Sequence, residues 1–306
     1  MVEKTPILDT LTYILLIAGI LIVGFPIIYA VIAATLPIED VSRVPMPLIP
    51  GDQFLVNMKS AWVKGNLGTN LVNSFIMASG ITIGKIIVSL FGAFSIVYFD
   101  YRLRTVAFVS VFCTLMLPVE VRILPTYEMA ANLLGPFQGL WNTLHLDGVA
   151  SWIAGHDIEV SLEWSLLDSY TGLIMPLVAS ATCTFLFRQF FLTIPEELCE
   201  AAKMDGASAM TFFRKILLPL SKTNIAALVV IEFVYGWNQY LWPLLITTNP
   251  KMMTAVIGLQ HLIPAADDVP YWNVALAGSL LVMLPPILVV LFMQRWFVKG
   301  LIEKEK

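Results

Sequence analysis

Residues 193–221 read TIPEELCEAAKMDGASAMTFFRKILLPLS, a long polar interruption between two strongly apolar runs. Thr193 and Glu196 have the spacing of a capping box, with Pro195 inside the first turn, where its missing N–H costs nothing. Glu196, Glu197 and Glu200 put negative charge near the positive end of a helix dipole, and Leu198, Ala201 and Ala202 form a narrow apolar stripe. Gly206 follows the last good helix former and can take the left-handed conformation that closes a helix. Ser208 can cap a second helix carrying Phe212, Phe213, Ile216 and Leu217, which Pro219 stops. The stretch predicts helix, tight turn, helix.

Working outward, the 306 residues are 58% hydrophobic and only 13% charged, more apolar surface than a water-soluble domain can hide. The expected class is an all-α integral membrane protein. Six apolar runs reach the roughly 20 residues needed to cross a bilayer, near 11–35, 70–98, 105–126, 170–192, 223–247 and 274–298. Pro26, Pro118 and Pro285-Pro286 should kink their helices. The first run is too long for a signal peptide and reads as a retained span.

Basic residues set the orientation. With the N-terminus inside, the cytoplasmic side collects Lys4, Arg102, Arg104, Arg188, Lys203, Arg214, Lys215, Lys222, Arg295, Lys299, Lys304 and Lys306. The outer side keeps Arg43, Lys59, Lys64 and Lys251, with Arg122 near its edge. Both termini and the 193–221 loop are thus expected in the cytoplasm. Outside lie a proline-bearing connector over 38–69, helical around Asn57 to Val63, a long periplasmic segment over 132–169, and a third link over 247–273.

Within the 193–221 loop, Glu200-Ala201-Ala202, three residues, Gly206, nine residues, Ile216, one residue and Leu218-Pro219 match the EAA motif of ABC importer permeases. Trp237-Asn238, Pro243-Leu244 and the tail QRWFVKGL (294–301) fit the carbohydrate-uptake, maltose-type branch. The resemblance covers most of the chain beyond residue 70, and residues 1–306 are expected to form a single transmembrane domain of that family. TLMLPVEVRILPT (114–126), SATCTFLFRQFF (180–191), PLSKTNIAAL (219–228) and YGWNQYLWPLLI (235–246) resemble its glycerol 3-phosphate-transporting members. The segment from about Gly135 to Leu166 departs from the branch, whose members have a much shorter connection.

The resemblance implies a coupling loop that docks on a cytoplasmic ATPase, carried here by Glu200, Ala201, Ala202, Asp205, Gly206, Ile216, Leu218 and Pro219. It implies, as partners, a homologous second permease, two ATPase subunits that bind ATP and magnesium, and a periplasmic or lipid-anchored substrate-binding protein. It places the chain in the bacterial cytoplasmic (inner) membrane, surrounded by lipid. The implied cargo is glycerol 3-phosphate or glycerophosphodiesters, otherwise another sugar or polyol.

The residues of the spans offer a substrate path of their own. Lys85 is ionisable in mid-span and needs a partner or a wet cavity; Glu232 and Glu120 are available, either as structural ion pairs or beside an anionic substrate. Glu120 and Arg122 follow Pro118 near a proline-broken helix end. Tyr235, Asn238 and Trp242 fall on one helical face with Gln239 beside it, aromatics and amides of the kind that hold polyols, although an interfacial aromatic belt also accounts for Trp242. Gly80-Ile-Thr-Ile-Gly84-Lys85 is one residue short of a phosphate loop and reads instead as a helix-packing pair.

No catalytic constellation is visible, and Cys113, Cys183 and Cys199 show neither disulfide nor metal spacing. The net charge of −4 gives no reason to expect a nucleic-acid partner. A rival class, an ion-coupled secondary transporter using Lys85, Glu120 and Glu232 as a relay, calls for inverted repeats, and none is visible.

Overall fold

The computed structural model describes residues 6–117, 119–145, 147, 151, 161–263 and 270–302, with side chains also left aside at 6, 115, 119, 120 and 295–302. Among the described residues every regular element is helical, as lipid demands of a chain whose backbone polar groups find no water. Three helices are long and apolar enough to cross a membrane unaided: Ile7–Thr35 within Pro6–Thr35, Leu67–Tyr98, and Trp272–Gln294 within Trp272–Ile302. Pro26 and Pro285-Pro286 lie inside uninterrupted helices.

Two bent pairs bring the count to at most five. Tyr170–Leu177 and Ala181–Phe191 meet at 48°, where Pro176 sits in a 3₁₀ turn and Ser180 is extended. Ala209–Leu220 and Lys222–Trp237 meet at 72°. The remaining expected span, 105–126, is divided: Arg104–Cys113 ends in a 3₁₀ turn, Leu117 is extended, and Val119–Ala131 starts again. A residue before proline is pushed out of the helical region, which accounts for the break at Leu117. Pro118 itself lies outside the described residues.

The chain divides into two compact units, Met1–Leu71 with Ala255–Leu284, and Val72–Thr254 with Pro285–Lys306. In the first, the long N-terminal helix is exposed until its last turn, where Ala33, with Leu36 just beyond the helix, packs with Met46 and Leu276. The helix expected around Asn57 to Val63 is present as Phe54–Lys64. Buried Asn57 donates to the Ala34 and Leu36 carbonyls, each at 2.9 Å, and accepts from Asn273 at 3.0 Å. One amide thereby satisfies the end of one helix and joins two others.

In the second unit, the part of the helix Leu67–Tyr98 from residue 72 onward is closely packed. A Cβ added to Gly80 would stand 2.5 Å from Ile174, one on Gly84 would stand 2.6 Å from Val178, and one on Gly236 would stand 3.0 Å from the Ala78 Cα. The glycine pair is therefore a packing device, as its spacing suggests. Toward one end of the unit, Asn73 donates to the carbonyls of Lys251 and Met253 and accepts from the Tyr170 hydroxyl, pinning the 247–253 segment.

Candidate functional site

A cavity of about 720 Å³ opens in the second unit, within the size range of about 300–1,000 Å³ that ligand pockets occupy. Three helices place its charged centre. Lys85, from Leu67–Tyr98, meets Glu232, from Lys222–Trp237, at 2.7 Å, and both are 5% exposed. The other carboxylate oxygen of Glu232 accepts from the Cys183 thiol of Ala181–Phe191 at 2.8 Å. The Tyr235 ring, one helical turn after Glu232, covers the ammonium at 3.7 Å. A lysine inside a membrane domain is thus neutralised on one side and shielded on another.

Around that centre the cavity wall takes in Arg122, Thr126, Gln239 and Trp242, with the start of the Ala181–Phe191 helix from Ala179 to Thr182. Arg122 is exposed, and among the described residues no carboxylate pairs with it. Of the residues expected on the path, Lys85, Arg122, Tyr235, Gln239 and Trp242 share this wall. Between the two carboxylates available to Lys85, the structure selects Glu232; the Glu120 side chain lies outside the described residues.

The expected common face of Tyr235, Asn238 and Trp242 is not formed. The helix ends at Trp237 with Asn238 as its C-cap, and a new helix runs from Leu241 to Ile246. The Gln239 amide bonds the Tyr235 carbonyl at 3.2 Å, closing the first helix where continuous periodicity would have carried it on. Asn238 is exposed and off the cavity wall. Trp242 is no interfacial anchor: it is 3% exposed and donates to the Gly172 carbonyl at 3.1 Å.

The 193–221 loop forms the expected hairpin with two changes. No capping box exists, because the Thr193 hydroxyl turns back to the Phe190 carbonyl at 2.7 Å and the helix Glu196–Met204 begins after an extended Pro195. Nor does Pro219 stop the second helix. Ala209–Phe212 continues through a π turn, Phe213–Leu217, into Leu218–Leu220, and the break comes at Ser221. The π turn re-registers the carbonyls at the point where proline offers no N–H.

The remaining local chemistry is as read from the residues. Gly206 has φ +72°, the Ala207 N–H bonds the Ala202 carbonyl at 2.9 Å, and the Gly206 N–H bonds that of Lys203 at 3.0 Å. These two bonds are the Schellman pair. Ser208 caps the second helix by accepting from the Thr211 N–H at 3.2 Å. Ala202 is buried among Phe94, Phe212 and Phe213, while Glu200, Ala201, Asp205 and Pro219 are exposed and Ile216 and Leu218 are half-buried.

Three residues escaped the sequence reading. Cys183 is one, its signal hidden in an ordinary apolar run. Met204 is another: it is 89% exposed and shares with Glu197, Glu200 and Ala201 the outer face of the first hairpin helix. Its i+4 spacing from Glu200 was the available cue. Asp168 is the third. At φ +50° it accepts from the Thr248 hydroxyl at 2.6 Å and from the Thr248 and Asn249 N–H groups at 2.7 Å each. The Thr248 hydroxyl first, then the Asn249 N–H, hold its carboxyl below the usual carboxylate range.

With this geometry in hand, likeness to known proteins becomes informative. Residues 85–303 match the family described as "Binding-protein-dependent transport system inner membrane component". Over 312 aligned positions covering all of both chains, the protein is 49% identical to the sn-glycerol-3-phosphate transport system permease protein UgpE of Pectobacterium atrosepticum. It is 48% identical, again over both full chains, to UgpE of Yersinia pestis bv. Antiqua. A crystal structure of a bacterial ABC transporter involved in the import of the acidic polysaccharide alginate superposes with a TM-score of 0.73. That match covers 97% of this chain and 99% of the other at 19% identity, and so speaks for the fold. The chain belongs to the inner-membrane components of binding-protein-dependent transport systems, the permease subunits of ABC importers.

Proposed function

We propose that this permease carries glycerol 3-phosphate or glycerophosphodiesters inward, as half of a path completed by a homologous permease. Two partner ATPases supply the energy, and a binding protein delivers cargo at the outer face. The observation that carries this reading is the full-length likeness to permeases named for sn-glycerol-3-phosphate. The cavity fits it chemically: Arg122 and Lys85 offer positive charge, while Tyr235, Gln239 and Thr126 suit a hydroxyl-bearing body.

The hairpin from Glu196 to Leu220 is the coupling element, with both termini on its side of the membrane. Its outer face, Glu197, Glu200, Ala201 and Met204, meets the ATPase, and the rest of the motif, Ala202, Asp205, Gly206, Ile216, Leu218 and Pro219, shapes the turn and seats it. No catalytic step belongs to this chain, and ATP and magnesium sit on the partners.

The test is ATPase stimulation in the reconstituted complex with its binding protein. Glycerol 3-phosphate or a glycerophosphodiester is expected to stimulate, and neutral disaccharides are not. Equal stimulation by a maltose-type sugar overturns the cargo assignment and leaves the ABC permease family standing.

A further inference from the structure

We propose that Glu232 is a built-in competitor for the cargo's phosphate, occupying on Lys85 the place the phosphate takes in passage. This rests on reading the cavity as the path of an anionic phosphate ester. The geometry has three parts. Lys85 carries three N–H donors; one reaches Glu232 at 2.7 Å, and the Tyr235 ring covers another side at 3.7 Å. Lys85 also forms part of the cavity wall, so an anion inside the cavity lies beside its side chain. Glu232 lies on that wall too, but its second oxygen is tied to Cys183 at 2.8 Å, on a different helix. The carboxylate is therefore held from two helices, while the ammonium, on a flexible four-carbon stem, can change partner.

This arrangement answers a transport problem. A free ammonium in a low-dielectric cavity would hold a phosphate so firmly that it would not leave, and conduction requires sites weak enough to release what they bind. With Glu232 in place the pair is neutral at rest. An arriving phosphate gains Lys85 only by displacing the carboxylate, which then competes to reclaim it and drives release. Arg122, exposed on the same wall without a carboxylate partner among the described residues, supplies the net positive charge that favours an anion over a neutral polyol.

The test measures equilibrium binding of glycerol 3-phosphate, with glycerol as the neutral probe, to the purified full complex without binding protein. It is paired with cargo-stimulated ATPase turnover in its presence. Glu232→Gln keeps the shape and removes the competing charge. Affinity for glycerol 3-phosphate is expected to rise about tenfold or more, the scale of one charge-assisted hydrogen bond, while turnover falls and glycerol binding stays as it was. A simple packing role predicts no such opposition between affinity and turnover. Unchanged or weaker phosphate-ester binding in an assembled Glu232→Gln complex overturns the proposal.

Should that variant fail to assemble, the pair Lys85→Met and Glu232→Leu removes both charges together. Its preference for glycerol 3-phosphate over glycerol is then expected to drop about tenfold, and an unchanged preference overturns the proposal. Failure of both variants to assemble assigns the ion pair to folding alone and also overturns it. A wild-type complex indifferent to glycerol 3-phosphate removes the cargo reading itself, whereas wild-type stimulation with an unaltered Glu232→Gln affinity removes this proposal only.

Discussion

The hairpin at 196–220 and the cavity around Lys85 both sit where helices end, yet they are held by bonds of very different reach. The hairpin's turn is closed by Gly206 to Lys203, Ala207 to Ala202 and Thr211 to Ser208, all within five residues. The cavity's centre joins Lys85 to Glu232 across 147 residues and Cys183 to Glu232 across 49. A turn built from neighbours can be loosened without dissolving what surrounds it. A centre that ties three helices fails together with their packing.

The largest expected effect lies at the long-range centre. Lys85→Met leaves Glu232 buried without its cation, and breaking a buried pair from one side costs about 3–5 kcal/mol. Thermal unfolding of the purified complex should show this loss, and adding Glu232→Leu should recover most of it. Equal stability of the single and double variants would mean that the two charges are not energetically coupled. At the hairpin, Gly206→Val forces a β-branched residue to φ +72°, a strain of roughly 1–3 kcal/mol. The complex should still assemble while uptake into vesicles collapses, because the strained turn misaligns the outer face; near-normal uptake counts against the hairpin as the coupling element.

Ser208→Ala sharpens the contrast at smaller scale. Losing an N-cap costs about 0.5–2 kcal/mol, and since the loss is confined to one turn, protease sensitivity should rise at 204–210 and nowhere near the cavity. The smallest effect belongs to Asp168. Its carboxyl titrates below the usual range in the folded protein, so the stability it lends is present above the ordinary Asp value of about 4 and is lost as pH falls through the lower, folded value. Protection of the Thr248 and Asn249 amides from hydrogen exchange, taken relative to the intrinsic rate at each pH, should therefore fall only in acid, and Asp168→Asn should weaken that acid dependence.

The same difference in reach decides what could be read from the residues. Gly206 and Ser208 announce their roles through their own backbone chemistry, and the glycine pair at 80 and 84 through spacing alone. Lys85 announces only a need, since nothing in the order of the chain chooses between Glu120 and Glu232 or brings in Cys183. Periodicity failed where side chains ended helices from a distance or from behind: the Gln239 amide stops one helix, and the Thr193 hydroxyl serves the helix before it. Pro219 misled for another reason, since a π turn absorbs the missing donor and lets the helix run on to Leu220.

The aromatic residues that surround Ala202 also tie the hairpin to the Lys85 helix. Phe213 packs against Phe94 with ring centroids 5.0 Å apart, and Tyr98 against Phe212 at 5.1 Å, on the same unbroken helix that carries Lys85. Nine residues separate Phe94 from Lys85, about 13–14 Å of helix rise. A close-packed interior transmits strain rather than absorbing it, and a helix resists stretching along its axis through every hydrogen bond it contains. The Leu67–Tyr98 helix therefore joins the aromatic seat of the hairpin to the ammonium through unbroken, hydrogen-bonded backbone, a stiff link rather than a flexible one.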